Sequence, residues 1–269
     1  MASQQRYFLE IAYNGTHYHG WQTQPNAITV QQKLNDALAM LLRQPVETTG
    51  AGRTDTGVHA RQLFVHFDLP ITAPHIIKEK AEVDLQQQQG SKSRFRGLEL
   101  ASLNALLPYD IAVKRIIPVD ADAHARFDAT LRSYEYHIHF HKDPFKQSFS
   151  WQIKGELNVE LMNEAAQIMM TYTDFSCFSK SNTQVKTNNC KIVRAEWIRK
   201  DDGLVFYISA DRFLRNMVRA IVGTCIMVGR KEMEPQGIRH IIESKNRSNA
   251  GTSVPACGLY LTEIKYPYI

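Results

Sequence analysis

The stretch Gly50-Ala51-Gly52-Arg53-Thr54-Asp55-Thr56-Gly57-Val58-His59-Ala60 sets three glycines, an arginine, an aspartate and a histidine between two amphipathic segments. Glycine is favoured where the backbone takes positive φ or approaches another group closely, so the spacing predicts a sharply turned loop that displays the side chains between its glycines. Asp55 is its only carboxylate, and Arg53, two residues earlier, points to the same side if the chain is locally extended. A neighbouring guanidinium favours the ionised carboxylate and fixes its orientation. The purely structural reading is a glycine-rich turn whose aspartate caps a helix or closes an Asx-turn.

Working outward from this loop, RYFLEIAY at 6–13 reads as a first strand, and NGTHYHGWQTQP after it is turn-rich and aromatic. Thr29 and Gln32 fit a capping box, and Val30, Leu34, Ala37, Leu38, Leu41 and Leu42 recur at helical spacing. After the loop, RQLFVHFDL predicts a strand in which Leu63, Val65 and Phe67 alternate with His66 and Asp68. The polar excursion at 75–97, with four consecutive glutamines, reads as a flexible insertion. A second helix at LELASLNALLP and a strand at DIAVKRIIPV complete an N-terminal α+β domain over 1–117.

The C-terminal part, 118–269, repeats the rhythm. ATLRSYEYHIHF predicts a strand, Asn158 caps a helix VELMNEAAQIMMTY, and KIVRAEWIRKDDGLVFYISA predicts a hairpin closed at Asp202-Gly203. RFLRNMVRAIVGTCIMVG reads as a helix, Pro235 starts a short one, and ACGLYLTEIKY is a last strand. The fold class is therefore α+β: two similar halves with antiparallel sheets, and a cleft between them as the expected place for chemistry.

Hydrophobic residues make up 43% of the 269 and charged ones 22%, close to soluble globular averages, which sets disorder aside as the default. The segment MASQQRYFLEIAYNG has no apolar signal-peptide run, and no apolar stretch approaches the roughly 20 residues that span a bilayer, so a cytoplasmic protein is expected. Cys177, Cys190, Cys225 and Cys257 are scattered without a C-x-x-C pair, so neither a disulfide framework nor a structural zinc site is expected. The net charge of +5 permits a polyanionic partner without demanding one.

Asp55-Thr56-Gly57 matches the D-T-G of aspartic proteases, in which two aspartates share a proton. Gly-Arg-Thr stands here in place of the apolar strand such enzymes have before the aspartate, and no second D-T-G exists. The other reading is a carboxylate that attacks or deprotonates a substrate directly.

G-R-T-D-x-G-V-H resembles the signature of the tRNA pseudouridine synthase A family, and the likeness extends from end to end. YNGTHYHGWQTQP at 13–25, HARFDAT at 124–130, RSYEYHI at 132–138, FLRNMVRAIVG at 213–223 and GLYL at 258–261 are all similar to family motifs. The 75–97 excursion looks like an insertion relative to shorter members. Asn14 stands where an aspartate is common, and Thr56 where alanine is common.

The resemblance implies the pseudouridine synthase fold and isomerisation of uridine to pseudouridine at positions 38, 39 and 40 in the tRNA anticodon stem-loop, by a homodimer, with no cofactor and no metal. It implies Asp55 as the catalytic carboxylate, Tyr134 as the active-site tyrosine, Arg219 as the basic partner of the aspartate and Leu259 as an apolar contact to the base. From spacing alone, Tyr134, Tyr136, Ile138 and Phe140 share a strand face and both tyrosines are equally core candidates. Arg219 likewise lies on a stripe with Arg212 and Arg215 at i, i+3, i+7, which without the resemblance is a solvated helix face. Arg53, Arg61, Arg126, Arg132, Arg212 and Arg215 are candidate RNA contacts, since base-independent grip comes mainly from cations on the backbone. His137, His139 and His141 alternate and predict a solvent-facing strand rather than a metal site. A non-catalytic RNA-binding protein of the same fold is the alternative function.

Overall fold

Strand β1, Gln4–Tyr13, lies antiparallel to β3, His59–Pro70, with Leu9 opposite Val65 and Ile11 opposite Leu63. The computed structural model describes residues 4–70, 98–179 and 187–269, so the excursion expected at 75–97 lies outside the described residues. Helix α1, Val30–Leu42, starts where Thr29 Oγ1 accepts the Gln32 amide, and its buried Val30, Leu34, Leu38 and Leu42 join that strand face in one apolar cluster. The two-residue β2, Thr49–Gly50, pairs with β3. Helix α2, Leu100–Leu106, and strand β4, Ile111–Val119, complete this part.

The second set comprises β5, Leu131–His139; the short β6, Trp151–Gln152; α3, Val159–Met169, capped by Asn158; β7, Ile192–Lys200; β8, Gly203–Ala210; α4, Met217–Gly229; α5, Gly237–Ser244; and β9, Leu259–Lys265. The main path of the sheet runs β4-β1-β3-β9-β5-β8-β7. The last strand thus enters between the two sets, parallel to β3 at His59 and Ala60 and antiparallel to β5. The expected antiparallel halves therefore meet through one parallel junction, and a second parallel pair joins β5 to β6.

The described residues form two apolar clusters. Leu259 belongs to the one containing α3, α4 and α5, whereas Leu261, Ile264 and Tyr266 belong to the one containing α1. Ala123, Ala125 and Ala129 also join the latter. Helix α4 is apolar nearly all round because it is buried nearly all round.

On β3 the simple alternation fails: Phe64 and His66 are as buried as Leu63, Val65 and Phe67. Tyr266 packs edge-on to Phe64 and Phe8, and the 123–129 turn covers His66, whose Nδ1 accepts the Ala125 amide at 3.2 Å. Burial, aided by the Arg6 charge, pushes the His66 imidazole from 6.5 down to about 4. Between those values the unfolded chain binds more protons, so stability falls as pH drops from about 6.5 towards 4. At about 1.4 kcal/mol per unit the full effect is on the order of 3 kcal/mol. Thermal midpoints recorded from pH 7 to 4.5 are expected to fall, and less steeply for His66→Gln; identical slopes would reassign the effect to other groups.

Candidate active site

The loop between β2 and β3 is held by the segment from Tyr13 to Trp21. Trp21 N donates to Thr54 O at 3.3 Å, Gly57 N donates to Tyr18 O at 3.3 Å, and the Tyr13 hydroxyl lies 2.8 Å from Thr54 Oγ1. Gly57 has φ +78°, which a side chain would strain. Gly20 combines φ +85° with an approach so close that a Cβ would lie 2.4 Å from Thr54 O, so the GWQ segment can lie against the loop only as glycine. Gly52, by contrast, has open space around it.

His59 anchors the far end. Its Nδ1 accepts the Gly15 amide at 3.1 Å, which leaves Nε2–H to donate to Ser148 O and Cys257 O at 3.0 and 3.2 Å. Burial lowers its basicity, so one neutral ring ties three segments to the base of the loop.

The Asp55 carboxylate is 28% exposed and meets two arginines: Nη1 of Arg219 is 3.4 Å from Oδ2 and Nε of Arg215 is 3.8 Å from Oδ1. They differ in freedom. Arg219 is only 20% exposed, and its Nε donates to Val254 O at 2.7 Å, whereas Arg215 is 61% exposed. Arg219 is thus a fixed clamp on the carboxylate and Arg215 a solvent-side one.

Two expectations about these cations are corrected. The helix read from Arg212 begins only at Met217, because Asn216 takes the left-handed conformation with φ 67°; Arg212 and Arg215 precede the helix and form no helical stripe with Arg219. Arg53 does not supply the guanidinium for Asp55: its Nε donates to Gln22 Oε1 at 3.2 Å, and the ion pairs of Asp55 among the described residues are with Arg215 and Arg219. Local spacing placed Arg53 nearby, but packing of the two halves delivers a partner 164 residues away.

Tyr134 packs against both apolar clusters, at the junction between them. Burial pushes its phenol up to about 12, with the Asp55 charge adding to the rise, so the ring is neutral near pH 7 and presents a flat face and an O–H. Phe213 stands edge-on to it, with centroids 5.1 Å apart. Leu259 pairs with Tyr136 and Leu261 with Tyr134, so Tyr134 and Leu259 lie on one face of adjoining strands. Tyr136 is fully buried, and its hydroxyl donates to Pro255 O at 2.7 Å. Phe213 opens the FLRNMVR motif, so its contact with Tyr134 joins that motif to RSYEYHI.

The remaining arginines divide. Arg132 departs from the phosphate contact expected of it: its half-buried guanidinium donates to the carbonyls of Ala129, Asp211 and Arg126 at 2.7 Å each and to Ala51 O at 3.4 Å, binding three loops together. Arg61 pairs with Glu135 at 3.0 Å and lies over the Tyr260 ring. Because Glu135 alternates with Tyr134, Arg61 is on the sheet face away from Asp55. Arg126 is exposed and Arg212 half-buried, both next to residues that Arg132 holds.

The solvent-facing reading of the histidines fails at His139, which β6 helps to bury, while His137 pairs with Glu135 at 2.9 Å. No group of three or more His, Cys, Asp or Glu able to hold a metal occurs among the described residues. No helix among them is long and apolar enough to cross a membrane.

What this arrangement offers chemically is a carboxylate clamped by guanidiniums, with a neutral phenol ring at the meeting of the two cores and Leu259 on the same sheet face as that ring. A family profile described as tRNA pseudouridine synthase matches residues 165–267. The chain is 48% identical to a tRNA pseudouridine synthase A of Parabacteroides distasonis over 97% of this chain and 96% of that protein. It is 48% identical to one of Bacteroides fragilis over 98% of both chains, and 35% identical to one of Bacillus subtilis over 95% and 97%. Identity at this level along nearly the whole of both chains places this protein in the tRNA pseudouridine synthase A family.

Proposed function

We propose that the protein isomerises uridine to pseudouridine in tRNA, at positions 38, 39 and 40 of the anticodon stem-loop, with Asp55 as its catalytic carboxylate. The observation that carries this reading is the Asp55 carboxylate held by Arg219 and Arg215, its charge acting on the Tyr134 phenol, in a chain of this family. The reaction breaks the bond from the sugar C1′ to N1 of uracil, turns the base, and joins C1′ to C5. The C5 proton is lost and N1 gains one, so no electrons are exchanged and no outside group is consumed. Catalysis then rests on orientation and a shielded pocket. Asp55 acts by attack on the sugar or base, or by taking a sugar proton; all three need the unprotonated carboxylate against the target nucleoside. The Tyr134 ring supplies a stacking surface for the extruded uracil, and Leu259 an apolar contact.

We further infer that 1–117 and 118–269 act as the two halves of the cleft, that the working form is a cytoplasmic homodimer, and that Arg53, Arg126, Arg212 and Arg215 contact the RNA backbone. Pseudouridine mapping of bulk tRNA from cells with and without the protein tests the function. Loss confined to 38–40 is the expected result; loss elsewhere or none would refute the assignment of substrate positions.

A further inference from the structure

Phe127 is 73% exposed at the tip of a turn in which its neighbours are tied down. The amides of Arg126 and Phe127 both donate to His124 Nδ1, at 3.1 and 3.3 Å, and the His124 amide donates to Asp128 Oδ2 at 2.6 Å. The Tyr268 hydroxyl holds the same Asp128 oxygen at 2.8 Å, and the Tyr266 hydroxyl holds Ala125 O at 2.5 Å. The turn is therefore built before any ligand arrives, and the side chains of Arg126 and Phe127 are what it displays. The His124 ring backs that of Phe127, with centroids 4.2 Å apart, and the Arg126 guanidinium carbon lies 5.8 Å from the Phe127 centroid.

A single exposed aromatic is common on protein surfaces, so its company decides what it does. One nitrogen of Arg132 holds both Arg126 O at 2.7 Å and Ala51 O at 3.4 Å, which fixes this turn against the chain four residues before Asp55. An aromatic face backed by a second ring, with an arginine beside it and tied through Arg132 to the chain that leads into the Asp55 loop, fits an unpaired nucleobase and its phosphate.

We propose that Phe127 is a stacking platform for an unpaired base of the RNA substrate next to the uridine that enters the Asp55 site, with Arg126 on that nucleotide's phosphate. The inference rests on the proposed tRNA reading. Its test uses the full chain and an unmodified tRNA transcript, with Phe127→Ala, Phe127→Leu and Phe127→Trp. Alanine is expected to weaken transcript binding and raise KM by about tenfold, with kcat within about twofold and an unchanged thermal midpoint. Tryptophan restores wild-type KM. Leucine behaves as alanine does, because it keeps apolar bulk but has no π face.

Wild-type affinity in the alanine or leucine variant would overturn the proposal. So would a change in sedimentation of Phe127→Ala without RNA, which would mark the site as a contact between copies of the chain. If the wild-type chain forms no pseudouridine, the functional reading fails, and the affinity ratio of alanine to wild type still decides the role of Phe127.

Discussion

Asp55→Asn is expected to lower pseudouridine formation by about four orders of magnitude or more while tRNA affinity stays within several-fold. Asparagine keeps the size and shape of the side chain and removes the negative charge, so the partners Arg219 and Arg215 lose an ion pair and keep a hydrogen-bond acceptor. Binding does not suffer, because a carboxylate facing a polyanion opposes association. Single-turnover assays on an unmodified transcript, paired with filter-binding affinities, separate the two effects. Full turnover by this variant would sink the catalytic assignment. A protein that merely binds RNA would instead lose nothing measurable at Asp55.

Arg219→Ala is the second large effect, expected to cost about 10²–10³-fold in kcat with little change in KM. The guanidinium does two things at once: Nε holds Val254 O at 2.7 Å and Nη1 faces Asp55 Oδ2 at 3.4 Å. A lysine carries the charge but cannot span both acceptors in the fixed fork of an arginine, so Arg219→Lys is expected to fall between wild type and alanine. Loss of the Val254 contact also loosens the 253–255 segment, so a thermal midpoint for each variant distinguishes misfolding from a misdirected carboxylate. Equal kcat in Arg219→Ala and wild type, with both folded, would remove Arg219 from the mechanism. The exposed Arg215 is expected to matter less to kcat, since water already competes for its pair with Asp55.

Much of the site was legible in sequence because its signals are local. Three glycines around Arg53, Thr54 and Asp55 announced a displayed loop, and the structure finds positive φ at Gly57. Thr29 and Asn158 cap their helices because a short side-chain oxygen before an apolar period has few better partners than the first free amides. What misled was also local. Arg212 through Gly229 has helical periodicity, yet the left-handed Asn216 delays the helix to Met217, and periodicity carries no information about one residue's φ. Arg132 and Arg61 are charged and were read as RNA contacts. Four backbone carbonyls take up the first, and the second pairs with Glu135 on the far face. Charge in a sequence does not reveal which charges the fold uses for itself.

By itself, then, the amino-acid sequence determined the order of strands and helices, the loop that carries Asp55 and, through motifs spread from Tyr13 to Leu261, the family. These depend on residue type and short-range spacing, which the chain carries whether folded or not. Only the tertiary structure decided that β9 enters between β3 and β5, that Tyr134 sits where the two cores meet, and that Arg53 turns to Gln22 while Arg219, the partner the resemblance implies, comes within 3.4 Å of Asp55. A guanidinium on a long side chain reaches whichever acceptor packing brings near it. That choice is made by the burial of two apolar clusters against one sheet, a property of the whole chain rather than of any segment.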